Sequence, residues 1–102
     1  MPDNIHFVAE IYKKACELKL CSTKYEFSEN FAGRDKRWLS TLLSQNNSPS
    51  ELTLLSISQN FMNRARSTRR REVINTAKGI NIRISKVLSD RLLVAEHINE
   101  GV

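Results

Sequence analysis

The chain has 102 residues, enough for one domain or for a small domain with an appended element. Apolar residues make up 40%, and three glycines and two prolines are too few for a disordered or strand-rich chain. Residues 1–60 carry seven Lys or Arg against seven Asp or Glu, while residues 61–102 carry nine against four, so the whole net charge of +5 lies in the second part.

In chain order, Ile5, Val8, Ile11, Tyr12, Ala15 and Leu18 recur at steps of three and four, which predicts a helix over 4–19 with one apolar face. Thr23-Lys24-Tyr25-Glu26 has the form of a capping box, so a second helix is expected to start there and bury Phe27 and Phe31. Ala32-Gly33-Arg34 reads as a turn, with glycine suited to positive φ. Asp35 can cap a third helix through Leu43 that turns Trp38, Leu39, Leu42 and Leu43 inward. Gln45-Asn46-Asn47-Ser48 is a polar loop. Ser48 as a cap and Pro49 in a first turn then predict a helix that buries Leu52, Leu55 and Phe61.

Beyond Phe61 come five arginines, at 64, 66, 69, 70 and 71. A run so dense fits a polyanion, because each neutralised phosphate releases condensed counterions; a solvated basic helix surface is the other reading. Val73, Ala77, Ile80, Ile84, Val87, Val94 and Ile98 then follow a heptad, broken only by Arg91. The stripe predicts one long helix that pairs with a second copy through Val73, Ala77, Ile80, Ile84 and Val87. Arg91 would weaken one end of that interface, or find an acidic partner such as Asp90 or Glu96 across it. The alternation Ile80-Asn81-Ile82-Arg83-Ile84, preceded by Gly79, would also suit a strand, but a lone strand has no partner in this sequence. The expected organisation is therefore a core over 1–62 and a basic, helical segment over 63–102.

Gly33, the Leu39-Ser40 pair six and seven residues on, Pro49-Ser50 nine residues after that serine, and Leu54-Leu55-Ser56-Ile57 form one ordered series. In this order and spacing, residues 23–61 resemble the Cro/repressor-type helix-turn-helix family with the lambda-repressor-like fold. The resemblance implies an all-α, compact bundle of about five helices with a C-terminal helical extension. One position departs from the family pattern. A small residue usually stands four before the turn glycine, but Glu29 holds that place and Phe27-Ser28 stands one residue earlier. One additional residue in the turn at Ala32-Gly33 is the simplest expectation.

Carried over position by position, the resemblance makes the helix after Asp35 the element that enters the major groove. It would present Lys36, Arg37, Ser40, Thr41 and Ser44, with Lys24 near the start of the preceding helix and Gln45 and Asn46 in the following loop. Arginine and lysine donate to guanine acceptors, and serine and threonine reach phosphates or either base. Arg69, Arg70 and Arg71 add candidate phosphate contacts. Trp38 either covers the core beside the C-terminal segment or anchors a protein partner.

Enzymatic chemistry finds no support, since carboxylates are scattered and no glycine-rich phosphate loop is present. His6 and His97 lie near opposite ends and Cys16 and Cys21 form the only cysteine pair, so neither a metal nor another cofactor is expected. The cysteines read as reduced thiols of a cytoplasmic protein. No apolar run approaches the roughly 18–20 residues of a membrane span, and the N-terminal residues lack the layout of a secretory leader. The function expected is regulation of transcription by a DNA-binding homodimer on double-stranded DNA. The alternative is a protein-interaction module, an anti-activator or adaptor, that keeps the fold and uses Trp38 or the C-terminal helix as its surface.

Overall fold

Apolar side chains at helical spacing make α1, Asn4–Glu17, whose Val8, Ile11 and Ala15 are buried while Tyr12 packs at the margin of the core. The computed structural model describes residues 4–45 and 47–100, with side chains over 6–45 and 47–92. Past α1 the chain reverses through Lys19 in the left-handed region, φ 62°, with the Leu20 amide donating to the Ala15 carbonyl at 2.9 Å. Thr23 then caps α2, Lys24–Glu26, by accepting the Glu26 amide at 3.1 Å. The Glu26 carboxylate reaches back to the Ser22 amide at 2.7 Å, one residue before the cap.

α2 runs without a break into a π-helical turn, Phe27–Phe31, closed by the Ala32 amide on the Phe27 carbonyl at 3.1 Å. A π turn holds one residue more than an α turn. This wider turn directly precedes the corner at Ala32-Gly33. Aromatic packing holds the widened turn: Phe27 stacks on Phe31 at 5.1 Å, and their outer edges meet Tyr12 at 5.5 Å and Phe61 at 5.6 Å. Gly33 then turns the corner at φ 66°, as expected, and leads to α3, Trp38–Gln45. Leu39 and Leu42 of α3 are buried, and Trp38 and Leu43 are half-buried against the core.

α4, Glu51–Thr68, starts two residues later than its sequence suggests. The cap is Ser50, whose hydroxyl accepts the Thr53 amide at 3.2 Å. Ser48 does not cap the helix, and Pro49 precedes it, buried, with its carbonyl taken by Arg91 Nη1 at 3.0 Å. Glu51 is left in the first turn, where the helix dipole favours a carboxylate. The buried face follows from which stripe stays apolar along the whole helix: Leu54, Ile57, Phe61 and Ala65 do. The stripe of Leu52 and Leu55 continues into Gln59 and Arg66, and those two leucines are 79% and 43% exposed instead of buried.

A two-residue elbow, with Arg69 at φ 57°, joins α4 to α5, Arg71–Glu100. Residues 80–84 are helical, as the heptad implied and the alternation did not. The stripe expected to meet a second copy is covered by the chain itself: Val73, Ala77, Ile80 and Ile84 are buried in one core with α1 and α4, and Val87 packs at its edge. Val94, Ile98 and Glu96 lie outside the residues whose side chains are described. Arg91 fills the gap in the stripe from within the same chain, pairing with Glu51 at 3.4 Å besides the Pro49 carbonyl. That contact makes α4 and α5 an antiparallel hairpin, and the boundary expected at 62/63 falls inside α4. Arg83 ties α5 to α1, with Glu10 at 2.8 Å and the Phe7 ring at 4.7 Å. Among the described residues the protein is an all-α bundle of five helices with no strand.

Candidate functional site

The orientation of α3 is set by three local devices. The buried hydroxyl of Ser28 donates to the Lys24 carbonyl at 2.8 Å and accepts the Leu39 amide at 3.0 Å. It thereby satisfies one of the amides that a helix leaves free in its first turn. Asp35 Oδ1 accepts the Arg37 amide at 2.9 Å, which stiffens the approach to α3. The Phe31 carbonyl, at the end of the π turn, is held by Asn60 Nδ2 at 2.9 Å and Ser56 Oγ at 3.3 Å of α4. Gly33 packs so closely on α4 that a Cβ there would lie 3.2 Å from Ser56 Oγ.

Outward from this frame, Lys24, Lys36, Arg37, Thr41, Ser44 and Gln45 are exposed, and Ser40 is half-buried. Asn46 lies outside the described residues. Arg37, Trp38 and Thr41 line one shallow depression with Arg34 and Asp35, and Trp38, Thr41 and Gln45 line the next with Asn47 and Ser48. The two share Trp38 and Thr41, so Arg37, Thr41 and Gln45 of the expected side chains lie on one continuous surface, while Lys24, Lys36, Ser40 and Ser44 line neither depression. Trp38 serves the core with part of its ring and this surface with the rest. Lys36 extends over the Tyr25 ring at 5.7 Å. Arg34 belongs to the same surface and is not legible in the sequence, because a residue following a turn glycine carries no helical phase.

The arginine run divides. Arg69, Arg70 and Arg71 are exposed, and Arg69 and Arg71 line a depression at the elbow with Asn75 and Lys78. Lys78, about two turns into α5, joins them without any signal in the sequence. Arg70 is engaged by Glu72. The elbow depression shares no lining residue with the α3 surface. Other cations of the second part tie helices together: Arg64 lies over the Phe31 ring at 5.3 Å, Arg83 holds Glu10, and Arg91 holds Glu51. The hydrogen bond and charge of Arg83 keep the Glu10 carboxyl below the usual carboxylate range. Part of the basic surplus therefore serves the fold.

Among the described residues, no group of three or more His, Cys, Asp or Glu is placed to hold a metal ion, and no helix is long and apolar enough to cross a membrane.

Residues 8–100 match the Family of unknown function (DUF6626), and the chain belongs to that family. No curated protein and no solved structure matches it.

Proposed function

We propose that this member of the family is a DNA-binding transcriptional regulator in which α2, the Gly33 corner and α3 act as a helix-turn-helix. One observation carries the reading. A helix of eight residues, clamped at its start by Ser28, turns Thr41, Ser44 and Gln45 to solvent, Arg37 is exposed in the turn just before it, and no Asp or Glu interrupts the chain from Lys36 to Ser50. Such a face offers donors to guanine and to phosphates, with one carboxylate, Asp35, at its margin and bound to the Arg37 amide. The elbow cations Arg69, Arg71 and Lys78 would add sequence-independent phosphate contacts. A homodimer belongs to the reading, because one small module makes few base contacts and two half-sites roughly 34 Å apart multiply them. Its interface would lie outside the stripe from Val73 to Ile84, which the fold has already used. A cytoplasmic location goes with this function.

A second reading, a protein-interaction module, is favoured by the exposed Leu52 and Leu55 beside the start of α4. Selection from randomised duplex DNA, followed by gel-shift at two salt concentrations, separates the readings. An enriched sequence bound more tightly than random duplex supports the regulator. Equal binding of all duplexes, abolished by salt, leaves only the basic elbow. The absence of binding at low salt leaves the interaction module.

A further inference from the structure

Two thiols that the DNA-binding reading does not use lie side by side. Cys16 sits in the last turn of α1 and Cys21 just past the reversal, and their sulfurs are 3.8 Å apart. The approach is built by the backbone. Lys19 takes the left-handed conformation at φ 62°, its amide donates to the Cys16 carbonyl at 3.0 Å, and the Leu20 amide donates to the Ala15 carbonyl. This folds the chain back so that Cys21 returns beneath the residue five positions before it.

From this juxtaposition we infer that Cys16 and Cys21 are a modification site, closing to an intramolecular disulfide by exchange with a low-molecular-weight disulfide such as oxidised glutathione. A bonded pair needs about 2.05 Å between sulfurs, so closure requires a local shift of the 18–22 segment and no change of partner. The half-buried Cys16 is the more accessible of the two, whereas Cys21 is buried. The Cys16 thiolate attacks one sulfur of glutathione disulfide, that bond breaks, and the departing glutathione thiolate takes up a proton. Cys21 then gives up its proton and attacks the Cys16 sulfur of the mixed disulfide, releasing the second glutathione as a thiol. Two protein thiols are oxidised and one disulfide is reduced, so the exchange balances. In the reduced pair, burial first and the neighbouring Cys16 second push the Cys21 thiol up to about 12, so Cys16 is the thiol that begins the exchange. The bridge would fasten the end of α1 to the segment that carries the Thr23 cap.

The chain supplies its own diagnostic. Trypsin cuts after Lys14, Lys19 and Lys24, so Cys16 and Cys21 fall in separate peptides, 15–19 and 20–24, that stay together only through a disulfide. The reduced full-length protein is equilibrated with graded mixtures of oxidised and reduced glutathione, quenched in acid and digested, once folded and once in urea. The linked peptides should form in the folded protein at a several-fold lower ratio of oxidised to reduced glutathione than in urea. Cys21→Ser should accumulate a single glutathione on peptide 15–19. Equal ratios folded and unfolded would overturn the inference. So would recovery of both peptides unlinked, free or each carrying its own glutathione.

Discussion

Ser28 Oγ accepts a hydrogen bond from the Leu39 amide at 3.0 Å, across a separation of eleven residues. The same hydroxyl donates to the Lys24 carbonyl, so one buried atom joins the start of α2 to the start of α3. Ser28→Ala leaves the Leu39 amide buried without a partner, at a cost of about 1–3 kcal/mol. Urea denaturation should show the midpoint falling with an unchanged slope. A loss under about 0.5 kcal/mol, the ordinary range for surface substitutions, would mean the amide finds water.

The glycines at 33 and 79 should respond to alanine with opposite signs. Gly33→Ala forces a side chain to φ 66° and against Ser56 Oγ, and should destabilise by about 1–2 kcal/mol. Gly79 lies within α5, where an added Cβ meets nothing within 4 Å, so Gly79→Ala should stabilise by about 0.5–1 kcal/mol. Thermal melts of the two variants check both signs at once.

Ile84→Asp places a carboxylate in the intramolecular core, where Ile84 is 1% exposed. The cost of an unpaired buried charge, on the order of 4 kcal/mol or more, is a large part of a typical domain's stability of about 5–15 kcal/mol. Circular dichroism should show a largely unfolded chain. A folded variant whose only change is a smaller sedimentation coefficient would return the stripe to an interface between copies.

Stability should decline in alkali. Burial, followed by a hydrogen bond with Cys16, raises Cys21 from 9.0 to about 12 and Tyr12 from 10.0 to about 12. Both groups bind their protons more tightly folded than unfolded. Their contribution is therefore complete below about pH 9 and is lost as pH climbs towards 12. Cys21→Ala should flatten the slope, most visibly at pH 9–10 where Tyr12 contributes little, and should also remove the small share of the Tyr12 shift that comes from Cys21. Urea midpoints measured across that range test this, and an unchanged slope in the variant would contradict it.

The Thr23-Glu26 capping box is what locates the Phe27 and Phe31 face, and periodicity is sufficient for α1 and α5, because each stripe continues for several turns. It fails at α4, where Ser48 and Ser50 both precede acceptable helix starts and a shift of the cap reassigns the leading leucines. It also leaves open what covers the stripe from Val73 to Ile84: an apolar face is legible in a sequence, but its neighbour is not. The Cys16–Cys21 approach depends on a lysine in the left-handed region, which composition cannot announce. Of the candidate surface, Thr41 and Gln45 are legible from helical phase, whereas Arg37 is expected in the helix and lies in the turn before it. Arg34 and Lys78 are not, because their proximity arises from the corner and the elbow.

The most direct test of DNA reading by α3 compares wild type, Arg37→Ala and a triple Arg69→Gln, Arg70→Gln, Arg71→Gln variant on a selected duplex and on random duplex over a salt series. Arg37→Ala should lose about 1–3 kcal/mol on the selected duplex and much less on random DNA. The triple variant should weaken both alike and flatten the salt dependence by about 0.9 for each phosphate no longer neutralised, with Arg70 contributing least because Glu72 already holds it. An Arg37→Ala protein that binds both duplexes as the wild type does would contradict the assignment of α3 as the reading helix.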